Sequence, residues 1–262
     1  MTVRPGPGRP PLLVIAHGSR DPRHAATVHA LTRRVAAARP GLRVDTAFLD
    51  FNAPSVPQAV SRLAADGVRD AVALPLLLTR AFHAKTDIPA VLRDSTAALP
   101  QLRLRTADVL GPSALLTAAL ERRLSEAGLR PADRPSTGVV LASAGSTDPE
   151  AGAVIAAVAR EWRHTGWCAV RPAFASAGLR RPRATDDAVR ELRALPGVRQ
   201  VAVAPYVIAP GFLPDRIARG AREAGAEVLA PVLGDAPELV ALLLRRYDQA
   251  RQPAAAGRLL SA

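Results

Sequence analysis

Several residue types are scarce in this chain, and each scarcity removes a class of structure. Cys168 is the only cysteine among 262 residues, so no disulfide can form within the chain and a paired-cysteine metal site is excluded. Aromatic residues make up only 3%, which leaves alanine, valine, leucine and isoleucine to build the core. No segment is long and apolar enough to span a membrane. We therefore expect a protein of the reducing cytoplasm, without a membrane partner.

Negative charge is also scarce, since 35 basic side chains face 23 acidic ones and the formal net charge is +12. Such a surface attracts polyanions, including polycarboxylate molecules. The arginines are scattered rather than clustered, and composition alone is an equal explanation for their excess. Nucleic-acid recognition motifs are absent and few aromatic side chains are available for base stacking, so we expect no nucleic acid partner.

The chain repeats itself, which indicates a tandem duplication. Four matches occur in the same order in both halves, at offsets between 123 and 130 residues. The matched segments are 15–22 with 142–149, 47–48 with 173–174, 67–75 with 197–205, and 109–123 with 232–246.

Each copy alternates short apolar runs with helical stretches, a pattern that predicts parallel strands joined by right-handed crossovers. The fold class is therefore α/β, with two tandem flavodoxin-like parallel-sheet domains facing a central cleft. In the first copy we predict strands at 12–16, 44–49, 71–78 and within 102–109. The predicted domain plan is a leader at 1–11, a domain carrying the active site at 12–127, a linker at 128–138, a degenerate repeat at 139–250 and a tail at 251–262.

Two of the five histidines follow predicted strands of the first copy. His17 ends the first strand and His83 lies in the loop after the third. In an open parallel sheet with the order 2-1-3-4, ligands bind beyond the carboxyl ends of strands one and three, where the strand order reverses. Paired imidazoles suit iron, cobalt, nickel and zinc, and a site with few protein ligands suits a metal in transit. The other three, His24, His29 and His164, are assigned no role.

Other candidates lie on the same edge. Asp50 follows the second strand, where its carboxylate can accept protons or help to hold a cation; a turn cap is the alternative. Ser19 follows Gly18 in a strand-to-helix turn, but the turn lacks the glycine and lysine pattern of nucleotide loops. Lys85 is the only lysine and can meet a substrate carboxylate.

The duplication provides an internal comparison for the histidines. Where the first copy has His17, the second has Ala144, and where the first has His83, the second has Leu213. Since the fold is repeated and the histidines are not, we interpret them as functional rather than structural.

These segments together resemble the class II sirohydrochlorin chelatases of siroheme and cobalamin synthesis, which need no ATP. The resemblance lies in Ala16–Pro22, in Phe48–Asp50 and in the stretch from Pro75 to Pro89, and it extends over the two-domain form of the chain. It implies that His17 and His83 handle the metal. Asp50 stands where relatives often have glutamate, so its reach is shorter.

The resemblance further implies insertion of Fe²⁺ or Co²⁺, with Ni²⁺ as a third option, into sirohydrochlorin by a monomer with no permanent cofactor. Ser19, Arg20 and Lys85 are candidate contacts for the carboxylates of the substrate. Two alternatives stay open: a metal or tetrapyrrole carrier without turnover, and a histidine-dependent phosphatase, against which Ala16 counts because such enzymes place arginine before the histidine.

Overall fold

The computed structural model describes residues 9–80, 86–146, 148–176 and 184–252. Two four-stranded parallel sheets form the framework, with the orders β2-β1-β3-β4 and β6-β5-β7-β8. The predicted fold class and the predicted order of the first sheet are confirmed. The strands are β1 Leu12–Ala16, β2 Val44–Phe48, β3 Asp70–Pro75, β4 Arg103–Thr106, β5 Thr137–Ser143, β6 Ala169–Phe174, β7 Gln200–Tyr206 and β8 Val228–Leu229.

Eight α-helices connect and cover these strands in the described part of the chain. They are α1 Pro22–Ala38, α2 Val56–Ala65, α3 Ile88–Thr96, α4 Ala114–Glu126, α5 Pro149–Arg163, α6 Thr185–Arg193, α7 Phe212–Glu223 and α8 Pro237–Arg251.

The boundaries differ from the sequence prediction in β2, in β3 and in the linker, and β2 ends one residue early, at Phe48. Strand β3 ends at Pro75 instead of continuing to Leu78, because neighbouring strand β1 ends at Ala16 and offers no further partner. The predicted linker contains a 3₁₀ helix, Pro131–Ser136, and the start of β5 at Thr137.

The same local chemistry starts the first helix of each copy. The Asp21 carboxylate accepts a hydrogen bond from the backbone N–H of Arg23 at 2.9 Å, and Asp148 accepts one from Glu150 at 3.0 Å. A proline follows each aspartate at the first helical position, where its missing N–H is not needed. The aspartate caps satisfy backbone donors that would otherwise lack partners.

The last helix of each copy packs on the sheet of the other copy. Helix α4 contacts β7, helix α8 contacts β3 and β4, and the two helices contact each other. Arginines secure this exchange in both directions. Arg246 of α8 donates to the carbonyls of Val109 at 2.9 Å and Leu110 at 3.1 Å, and Arg123 of α4 donates to that of Leu233 at 2.8 Å.

The exchange gives the two copies one continuous apolar core between the sheets. This cluster includes Val14 and Leu74 of the first sheet, Val139 and Ala204 of the second, and buried residues of α4 and α8. Separate clusters lie on the outer faces, where α2 and α3 cover the first sheet and α6 and α7 cover the second. The molecule is therefore layered, with helices against both faces of each sheet. Among the described residues, no helix has both the length and the apolar character that a membrane span needs.

Candidate active site

His17 is the first residue after β1, at the point where the order of the first sheet reverses. Strand β1 lies between β2 and β3, with Ala16 opposite Phe48 and Ile15 opposite Pro75. The backbone N–H of Leu76 donates to the carbonyl of Ile15 at 2.8 Å, so the loop after β3 leaves the sheet beside His17. The half-buried imidazole thus stands in the crevice where parallel α/β sheets bind ligands.

The loops after β1 and β2 are fastened together by three hydrogen bonds. The N–H of Leu49 donates to the carbonyl of Ala16 at 3.0 Å, and that of Asp50 to the carbonyl of His17 at 2.9 Å. The N–H of Ser19 donates to the side-chain oxygen of Asn52 at 2.8 Å. This brings the backbones of His17 and Asp50, two of the predicted site residues, into direct contact.

Gly18 permits this close approach. Its φ is +95°, a conformation that favours glycine, and a side chain there would overlap the backbone carbonyl of Asp50. The exposed Asp50 carboxylate is therefore carried on a loop whose distance from His17 is set by a glycine.

The loop after β2 also contains a strained turn that the sequence did not predict. The N–H of Asn52 donates to the carbonyl of Asp50 at 2.7 Å, and Phe51 between them has a φ of +63°. The Phe51 ring meets the His17 ring edge to face, with centroids 6.4 Å apart. The guanidinium carbon of Arg20, a predicted substrate contact, lies 5.1 Å from the centroid of the same ring.

His24, which was assigned no role from the sequence, lies close to His17. Burial lowers the pKa of His24, and the positive charge that His17 can carry lowers it further. These two effects favour the neutral form of the His24 imidazole, and the Asp21 carboxylate opposes them in part. His29, by contrast, packs edge to face on buried Phe48 with ring centroids 5.6 Å apart, so its role is structural.

The remaining predicted contacts fall into two groups. The hydroxyl oxygen of Ser19 accepts a hydrogen bond from the N–H of Asp21 at 3.1 Å, which shapes the turn into α1. His83 and Lys85 lie outside the described residues. Within the described ranges, no group of three or more histidine, cysteine, aspartate or glutamate side chains is placed to hold a metal ion.

The second copy repeats the backbone hydrogen bonds of this site but lacks its histidine and aspartate side chains. The N–H of Ser176 donates to the carbonyl of Ala144 at 2.9 Å, as Asp50 does to His17. Gly145 has a φ of +88°, and the hydroxyl oxygen of Ser146 accepts from the N–H of Asp148 at 3.1 Å. The glycine and the serine are therefore parts of the scaffold, since they persist where the histidine is alanine and the aspartate is serine.

The described residues also form a groove of about 750 Å³ between α4 and α5, away from these loops. It contains none of the predicted site residues. The corresponding helices, α8 of the second copy and α1 of the first, pack against each other and leave a smaller groove of about 330 Å³.

Comparison with known proteins gives two matches to one family, described as CbiX, over residues 11–127 and 138–250. The chain belongs to the CbiX family. The two matches follow the internal duplication, and the family agrees with the resemblance inferred from the motifs around His17 and before Pro89.

Two relatives of this CbiX chain are similar in sequence. The sirohydrochlorin cobaltochelatase of Priestia megaterium is 27% identical over 248 residues, which cover 91% of this chain and 79% of that protein. The sirohydrochlorin cobaltochelatase of Methanothermobacter thermautotrophicus is 34% identical over 83 residues, which cover 31% of this chain and 56% of that protein. The second match thus spans little more than half of that relative.

The fold of the CbiX chain is shared with a solved structure described as SirB from Bacillus subtilis with Fe³⁺. The TM-score is 0.80 at 22% sequence identity, and the alignment covers 92% of this chain and 95% of that one. The two-sheet architecture is therefore common to both proteins over nearly their full lengths.

Proposed function

We propose that this chain is a sirohydrochlorin chelatase, a lyase that inserts a divalent metal ion into the tetrapyrrole without ATP. The observation that carries the proposal is the position of His17, which stands at the reversal point of the first sheet and is joined through its backbone to Asp50. Membership of the CbiX family and the names of its relatives support the same reaction.

The chemistry of insertion fits these groups. Two pyrrole N–H protons must leave the macrocycle while the metal approaches its central nitrogens. A neutral imidazole can bind a divalent transition metal and can accept a proton, and a carboxylate can accept the second proton. We propose that His17 and His83 deliver the metal and that Asp50 assists in proton removal.

The metal is a substrate of the proposed reaction, with no permanent cofactor. Imidazole and carboxylate ligands accept Fe²⁺, Co²⁺ and Ni²⁺ alike. The Priestia relative is named for cobalt and the Bacillus structure is described with iron, so both metals belong in the assay. We further propose a cytoplasmic monomer, because one chain supplies both of the copies that would enclose the macrocycle and Cys168 is the only cysteine.

Anaerobic metal insertion tests the proposal. Purified protein is mixed with sirohydrochlorin and Co²⁺ or Fe²⁺, and the absorbance change on insertion is followed beside His17→Ala and Asp50→Asn. His164→Ala is the matched control, since His164 is an exposed imidazole that follows α5, in the second copy. We expect His17→Ala to lose most of the acceleration and His164→Ala to keep it.

Two results would contradict the proposal in different ways. Wild-type protein that binds metal and sirohydrochlorin but matches the uncatalysed insertion rate would be a carrier rather than a chelatase. If His17→Ala accelerates insertion as well as wild type does, the chelatase activity is supported but His17 has no role in it.

A further inference from the structure

Phe51 is one of two exposed phenylalanines in the described part of the chain, and it lies in the loop that carries Asp50, whereas Phe212 begins α7 in the second copy. The relative exposure of Phe51 is 58%, whereas Phe48, Trp162, Tyr206 and Tyr247 are fully buried. One exposed apolar side chain is ordinary on a protein surface, so exposure alone assigns no role.

The backbone of Phe51 supplies a second observation. Among the described residues other than glycine, Phe51 alone has a positive φ, in a three-residue turn closed by the hydrogen bond from Asn52 to Asp50. This kind of turn is rare and strained for a residue with a side chain. The surrounding hydrogen bonds to Ala16, His17 and Ser19 hold it in place. Strain maintained in this way is typical of functional sites.

The position of the Phe51 ring relative to His17 and Arg20 supplies a third observation. The Phe51 ring centroid is 6.4 Å from that of His17, and the Arg20 guanidinium lies over the ring. A tetrapyrrole extends several atoms beyond its central nitrogens in every direction. A macrocycle whose centre faces His17 therefore has its periphery within reach of Phe51.

The duplication separates the site residues from the scaffold. Gly18, Ser19 and Asp21 recur in the second copy, but His17 is replaced by Ala144 and Asp50 by Ser176. The residue that follows Ser176 is alanine, so the aromatic side chain is present only in the copy that has the histidine. Between the two copies, Phe51 is therefore replaced together with the histidine and the aspartate, whereas the residues that form the turn are kept.

We infer that Phe51 is a substrate-binding residue, which packs its ring against the tetrapyrrole and holds the macrocycle centre over His17. The inference rests on the proposed function for the identity of the ligand. Arg20, which lies on the ring in the free protein, is placed to pair with a peripheral carboxylate once the macrocycle is bound.

The test removes the ring while relieving the strained turn. Phe51→Gly and Phe51→Asn place residues that tolerate positive φ at this position, and Phe51→Tyr retains the ring. The dissociation constant for metal-free sirohydrochlorin is measured by fluorescence titration, together with the thermal midpoint and the KM and kcat for insertion. Binding of Co²⁺ alone is measured as the control for an intact metal site.

We expect Phe51→Gly and Phe51→Asn to weaken macrocycle binding by roughly tenfold, the typical effect of losing one aromatic contact together with its buried area. KM for the macrocycle should rise in parallel, whereas the thermal midpoint and Co²⁺ binding should stay at or above their wild-type values. Phe51→Tyr should bind within about twofold of wild type, because its ring is preserved.

Wild-type affinity in both ring-deleted variants would overturn the inference, and so would weaker binding that always accompanies a lower thermal midpoint, since that pattern belongs to a structural role. Failure of the proposed function looks different. A wild-type protein that binds the macrocycle without inserting metal is no chelatase, yet the ring-deleted variants still decide the role of Phe51. A wild-type protein that does not bind sirohydrochlorin refutes both.

Discussion

Gly18 offers a substitution that separates the geometry of the site from the stability of the fold. A side chain at this position meets two costs. The positive φ of +95° costs about 1–2 kcal/mol for a residue other than glycine. A Cβ there would also lie 2.9 Å from the carbonyl carbon of Asp50 and closer still to its oxygen, an overlap that costs about 1–3 kcal/mol more as the backbones separate.

Gly18→Ala is therefore expected to lower the free energy of unfolding by about 2–5 kcal/mol and to move Asp50 away from His17. Two glycines serve as matched controls. Gly41 has a φ of +79°, and a Cβ at this position would meet no atom within 4 Å, so Gly41→Ala reports the backbone cost alone. Gly145→Ala disturbs the equivalent turn of the second copy, beside Ser176.

Thermal or urea denaturation gives the stability of each variant, and metal insertion into sirohydrochlorin gives its activity. We expect Gly18→Ala to lose most of its kcat/KM even at temperatures where it remains folded. Gly145→Ala should lose stability but keep kcat/KM within about threefold, because that turn carries no histidine. Equal loss of activity in both variants, or full activity in Gly18→Ala, would refute the claim that this glycine sets the spacing of the site.

Two further predictions concern contacts that α8 makes with the first copy. Arg246→Ala should lower the free energy of unfolding by about 2–4 kcal/mol in denaturation experiments, because it removes charge-assisted hydrogen bonds to two loop carbonyls. Arg245→Ala is the control, and a smaller loss is expected because the Arg245 side chain is exposed. The Glu238 carboxylate accepts hydrogen bonds from Arg122, which lower its pKa below the ordinary value of 4.5. Its contribution to stability is thus complete above about pH 4.5 and is lost as the pH falls through the lower pKa of the folded state. Stability measured across this range should depend less on pH in Glu238→Gln, and an unchanged acid limb would contradict the assignment.

The part of the site that depends on strand order could be predicted from the sequence. Short apolar runs alternate with helical stretches, and this alternation restricts the sheet to a few possible topologies. In one of them, the strand order 2-1-3-4, the residues that follow strands one and two lie on the same edge of the sheet. His17 and Asp50 meet for that reason. The duplication also helped, because His17 is replaced by Ala144 in a copy that keeps the same turn.

The features that depend on tertiary contacts could not be predicted. The apolar faces of α4 and α8 show that both helices are buried, but periodicity does not indicate which sheet covers them. The positive φ of Phe51 has no signal in the sequence, since glycine and asparagine are the residues that normally announce such a turn. His24 was missed because its closeness to His17 depends on how α1 starts after the turn.

The reciprocal exchange of α4 and α8 has a consequence for how a large flat molecule enters the protein. A hinge motion that separated the two sheets would pull α4 and α8 away from the sheets that they cover. It would also expose the shared apolar core to water. We therefore expect the two sheets to keep a nearly constant separation, and the loops at the strand ends to supply the movement that admits substrate and releases product. In a chain cut after residue 127, α4 would lack the second sheet that it packs on, and β3 would lose its contact with α8. We therefore expect that neither half folds stably without the other.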